Sequence, residues 1–176
     1  MIMMGESRED TDDYREEKIL SKILNLLGFE GVEMRDFDNR LKYQKLIFLV
    51  QNSGLSLGYG YNWYVRGPYS PFLAHDLFEI DKESKIFESG KDLALQDERI
   101  IVEKIEKIKE LLGKDIENPV FLEVLASLIY LKKSSTRADC ASLQKRLLDL
   151  KPRLNKAPDI EKMLNKACNM LPSFDA

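Results

Sequence analysis

The chain has 176 residues, about the length of one domain, and its 44% apolar and 32% charged residues can build a core. Its formal net charge of −3 at pH 7 excludes a protein that holds nucleic acid by bulk charge. No apolar run approaches the roughly 20 residues that span a bilayer as a helix.

In chain order, residues 1–15 are read as a frayed acidic tail. Met1-Ile2-Met3-Met4 is too short for the apolar core of a secretory signal and runs straight into acids. Ile19, Leu20, Ile23, Leu24, Leu26 and Leu27 recur at helical spacing, and Gly28 ends this first helix. Tyr43, Leu46, Ile47 and Val50 mark a second helix. Phe48 and Leu49 widen its apolar face until other elements must wrap it. Asp38 or Asn39 would cap its start, and Gly54 would stop it.

Beyond Gly60 the period becomes two. Tyr61, Trp63 and Val65 would face inward, with Asn62, Tyr64 and Arg66 outward. Gly67-Pro68 would break the strand, and Ser70-Pro71 would cap and open a helix running to about Asp81. Lys85–Glu88 and Asp92–Leu95, on either side of Ser89-Gly90, read as a hairpin. Helix, helix, strand, helix, hairpin is the order of a winged helix. The helix that would enter a DNA groove carries Asp76, Glu79 and Asp81 against His75 and Lys82, and phosphates would repel it. A winged-helix-like shape used for protein contacts fits better.

Ile101, Ile105, Ile108 and Leu112 stripe the next helix, capped by Asp97 and closed by Gly113. Asn118-Pro119 opens a buried helix through Phe121, Leu122, Leu125, Leu128 and Ile129. Leu143, Leu147 and Leu150 mark another, ended by Pro152, and Pro158 opens the last. The fold class is therefore mainly α with a small β-sheet or hairpin. A winged-helix-like part over residues 16–113 precedes a helical bundle over 114–176, packed on it as one compact unit.

Lys132 to Lys166 is the one basic region, and Lys145, Arg146 and Lys151 are its candidate contacts for nucleic acid or an acidic partner. Cys140 and Cys168 lack metal-ligand spacing and read as unpaired buried thiols in a reducing cytoplasm. His75 is the only histidine and has no nucleophile at motif spacing. Phosphate-loop and dinucleotide fingerprints are missing too, so no catalytic residue, cofactor or metal is assigned. The outer strand face offers Tyr64 and Arg66. With Tyr69 they form the candidate partner surface, because Tyr and Arg bring contact area with a polar end.

Leu41 to Gln51 resembles a helix of the YwgA-like proteins and of the related Panacea domain, the antitoxin and SocA-like group. Tyr64-Val65-Arg66-Gly67-Pro68-Tyr69-Ser70-Pro71-Phe72-Leu73 resembles their "YGPYS" turn, with Arg66 where an aromatic is usual. Leu122 to Leu131 and Lys151-Pro152 resemble the C-terminal helices of the YwgA-like group. The likeness spans roughly Asp38 to Leu171. It implies a mainly helical fold and, through the Panacea domain, protein–protein interaction and toxin neutralisation. The expectation is a non-enzymatic cytoplasmic regulatory or adaptor module that binds a protein partner. A DNA-binding winged-helix regulator or antitoxin is the alternative, and a small-molecule enzyme a distant third.

Overall fold

The structure, a computed structural model, describes residues 13–174. Most of the expected acidic tail lies outside these residues; Arg15 already belongs to the first helix. The described chain is mainly helical, with one small antiparallel hairpin. Its elements are α1 (Arg15–Leu26), α2 (Phe37–Asn52), β1 (Asn62–Tyr64), β2 (Gly67–Tyr69), α3 (Pro71–Lys82) and α4 (Ser84–Lys91). Then come α5 (Glu98–Leu112), α6 (Pro119–Ser134), α7 (Cys140–Leu150) and α8 (Ile160–Met170). No helix among the described residues is long and apolar enough to cross a membrane.

Two helices buried almost all round make the centre. α2 buries Leu46, Ile47, Phe48, Leu49 and Val50 in succession, and α6 buries every residue from Phe121 to Ile129. They pack on each other. α1, α3, α4 and α5 cover one side, while α7 and α8 cover the far side of α6. A single apolar cluster runs from Ile19 to Phe174. Each fully buried Leu, Ile or Phe in it contributes about 1.5–3 kcal/mol.

Side-chain caps open α2, α3, α6 and α7, whereas Asp97 stands at the start of α5 without a side-chain cap hydrogen bond. Ser70 accepts from the Leu73 N–H ahead of Pro71, and Asn118 accepts from Phe121 ahead of Pro119. For α2 the cap is Asp36 rather than Asp38 or Asn39, and it accepts from the Asn39 N–H at 2.9 Å.

Two expectations fail. Where a hairpin is expected from Lys85 to Leu95, Lys85–Glu88 lie in the helix α4, which ends at Lys91, and Asp92–Leu95 follow it outside any helix. Ile86, Phe87 and Gly90 are buried together at helical spacing, which overrides the glycine as a turn signal. Gly90 marks instead where α4 presses on α1. A Cβ there would stand 2.5 Å from the Lys18 carbonyl oxygen. No second hairpin follows α3 in the described chain, so the element order does not confirm a winged helix.

The cysteines are the second correction. Cys140 and Cys168 are half-buried and form a disulfide from α7 to α8, with Cα atoms 6.0 Å apart, within bridge range. The expectation of a reducing compartment rested on unpaired thiols, and that basis is gone.

Candidate functional site

The hairpin is short and sits where α2 and α6 meet. β1 and β2 pair Asn62 with Tyr69, Trp63 with Pro68 and Tyr64 with Gly67. Gly67-Pro68 therefore does not break a strand; it forms one, and the turn is Val65-Arg66. Only Gly67 carries a positive φ, +91°, as in a type I turn closed by a left-handed glycine. Pro68 lacks an N–H, but in a sheet of two strands no further ladder needs it. Because β1 ends at Tyr64, the two-residue alternation stops there. Val65, expected inward, is 75% exposed at the hairpin tip.

Charged groups from the C-terminal part hold this hairpin in place. Lys151 is 4% exposed and donates to the carbonyls of Tyr64, at 2.6 Å, and Val65. Its ammonium also lies 4.5 Å from the centroid of the Trp63 ring, and that ring packs against Tyr130. Burial, and then the nearby Arg66, lower the Lys151 pKa from 10.5 to about 8. Arg153 donates to Val65 O at 3.1 Å and pairs with Glu123, a carboxylate whose side chain is 1% exposed on α6.

This arrangement dissolves the expected basic surface of Lys145, Arg146 and Lys151. Lys145 and Arg146 stand exposed on α7, where Arg146 donates to Ser135 Oγ. Lys151 lies past the helix end and is turned inward onto hairpin carbonyls. It cannot reach a phosphate backbone together with the other two.

On the other side of the hairpin a cleft of about 350 Å³ opens between α2, α3 and the turn. Its rim is aromatic and cationic. Phe37, Tyr64 and Phe78 are each about half exposed there. Phe37 lies between two guanidinium groups, Arg40 at 5.6 Å and Arg66 at 5.5 Å from its ring centroid. Tyr64 and Tyr69 meet edge to face at 5.1 Å. The three expected surface residues, Tyr64, Arg66 and Tyr69, are thus gathered on one rim. Phe37, Arg40 and Phe78 join them from α2 and α3.

The inner wall carries Gln44 and Lys45 of α2. Gln44 makes a two-way amide bridge with the backbone of Ser70, each bond 2.9 Å. Lys45 is 1% exposed and donates to Pro68 O at 2.6 Å. Burial, reinforced by the cations Lys151 and Arg153, pulls its pKa from 10.5 down to about 7.

Lys45 was missed in the sequence, although a signal existed. It sits mid-helix in a run whose neighbours Tyr43 and Leu46 to Val50 demand burial all round, so a lysine there must be buried too. A depression of that size corresponds to roughly 5 kcal/mol against the charged folded state. The cost applies in full below pH 7. It fades as pH rises from about 7 to 10.5, where the folded protein has lost the proton and the unfolded chain still keeps it. Lys45→Met should therefore stabilise the protein at acid pH, by roughly 2–4 kcal/mol once the unmet Pro68 carbonyl is deducted. Urea melts should show that gain shrinking steadily as pH climbs through this window. A gain independent of pH would mean that Lys45 is not a buried charge.

No family model, curated protein or solved structure matches the chain.

Proposed function

We propose that the protein is a non-enzymatic regulatory or adaptor module that binds another protein through the rim of the cleft. The observation that carries this reading is the concentration of half-exposed Phe37, Tyr64 and Phe78 with Arg40 and Arg66 on one edge. Aromatic residues and Arg are the types enriched at the energetic centres of interfaces. Val65 and Phe72, both 75% exposed, extend the apolar area at the hairpin tip and at the start of α3. The resemblance to Panacea-type proteins points the same way.

The double variant Tyr64→Ala, Arg66→Ala tests it. Both side chains make only partly exposed ring contacts, so thermal unfolding should stay within about 1–2 kcal/mol of wild type. Capture of a partner on the immobilised protein should fall sharply, because anchors of these types can each cost about 2 kcal/mol or more. A collapsed fold, or undiminished capture by a folded variant, would show that this edge is not the contact face.

A further inference from the structure

The rim of the cleft carries two guanidinium groups and no acid. Arg40 and Arg66 line it, and the lining includes neither Asp nor Glu. Among the described residues neither guanidinium makes an ion pair or a side-chain hydrogen bond; each lies over the Phe37 ring instead. A guanidinium stacked on a ring keeps the N–H donors at its edge free, and that edge fits a carboxylate two bonds at a time. Neighbouring acids are engaged with backbone. Asp36 caps α2, Glu33 accepts from the Arg35 N–H, and Asp81 accepts from the Met34 N–H. Asp38 stands exposed beside Phe37 and is not part of the lining. Beneath the hairpin, burial and then Arg66 lower the pKa values of both Lys151 and Arg153, a sign of crowded like charges. The buried acid Glu123 pairs there with Arg153.

Below this rim the cleft floor is apolar. Met34, Leu41 and Ala74 form it, and Phe78 stands half exposed at its edge. Gln44, the polar neutral side chain on the wall, already spends its amide on Ser70. The volume of about 350 Å³ has room for a side chain the size of Leu or Phe. We infer that the segment docking on this rim is an acidic, amphipathic peptide. One large apolar side chain of it enters the cleft, and carboxylates on either side pair with Arg40 and Arg66. This names the chemistry of the partner, and it rests on the rim being a docking edge. A nucleic acid fits less well. A phosphate backbone is held by a row of cations, whereas the rim presents two guanidiniums. The Phe37 ring, on which a base would have to stack, already carries both of them.

The test selects from a random peptide library on the immobilised full chain, after clearing on bare matrix. The strongest peptide is then made synthetically and its affinity measured by fluorescence anisotropy. The selected pool should be enriched in Asp and Glu around a Leu, Phe or Trp. Affinity should fall at least about tenfold for the double variant Arg40→Glu, Arg66→Glu. It should also fall as salt is raised from about 0.05 to 0.5 M, because the paired charges are near solvent. The double variant Phe37→Ala, Tyr64→Ala should weaken the same peptide by removing the aromatic contact. A pool weakened by this aromatic change, yet without acid enrichment or response to charge reversal, would overturn the acidic peptide and leave the docking edge standing. A pool indifferent to both changes, or no pool above the matrix background, would overturn both. A single-stranded oligothymidylate that binds this rim more tightly than the best peptide would assign it to nucleic acid instead. Should the charge-reversed protein fail to fold, Arg40→Gln, Arg66→Gln takes its place, and a wild-type affinity unmoved by salt rejects the inference.

Discussion

Gly67→Val should lower stability by about 3–4 kcal/mol and the melting temperature by about 10 °C. Two separate terms produce this. The residue holds φ at +91°, where a β-branched side chain costs roughly 1–2 kcal/mol. A Cβ would also stand 2.5 Å from Ser127 Oγ on α6, far inside contact distance. The terms can be separated with alanine. Ser127 Oγ is buried and has no hydrogen-bond partner, so Ser127→Ala alone should be neutral or slightly stabilising. In that background Gly67→Ala loses the overlap and keeps the backbone strain, and its cost should fall by about half. If Gly67→Val melts like wild type, neither the turn geometry nor the close packing of the hairpin on α6 is right.

The second large effect belongs to the ion pair beneath the hairpin. Arg153→Met should destabilise the protein by about 3–5 kcal/mol, because it strands the Glu123 carboxylate, whose side chain is 1% exposed, without its partner. Arg153 also donates to Val65 O, but that bond is exposed and adds little. The diagnostic is the double variant Glu123→Met, Arg153→Met. A buried pair replaced by packed apolar side chains is often neutral or better, so chemical denaturation should return most of the lost stability. Additive losses in the double variant would mean that Glu123 is not buried against Arg153.

The sequence carried the helices well and the hairpin only in outline. The caps Ser70 and Asn118, each followed by Pro, are local signals with one reading, and both helices begin where those signals lie. Gly67-Pro68 has two readings. The pair suits a strand break, yet it equally suits the return strand of a two-stranded ribbon, where a missing N–H costs no ladder bond. Choosing between them requires knowing that α6 lies within reach of the turn, which is tertiary information. Gly90 failed for the same reason. A glycine marks a turn or a close helix contact with equal local logic, and only the position of α1 decides.

The site was half legible. Alternation placed Tyr64 on an outer face, but it placed Val65 inward because the end of β1 could not be seen. Lys151 looked like one more lysine in a basic stretch. Its hydrogen bonds cross 86 and 87 residues of chain to the hairpin carbonyls, and no spacing rule reports a contact that distant.

The bridge between Cys140 and Cys168 encloses the part of the chain that grips the hairpin. Lys151 and Arg153 both lie inside the ring it closes, whose ends are 28 positions apart. In the unfolded chain such a ring removes about 3–4 kcal/mol worth of conformational freedom. It also makes the grip tolerant of cutting. The exposed stretch around Asn155, Lys156, Pro158 and Asp159 is where a protease would enter, yet a single cut there opens the ring without separating the fragments. The piece bearing α8 stays tethered to α7 through sulfur, and Lys151 and Arg153 stay on the α7 side of the cut, bonded to the hairpin carbonyls. After reduction the same cut leaves α8 held by packing alone, so the oxidised and reduced forms of a nicked molecule would differ in integrity far more than the intact forms do.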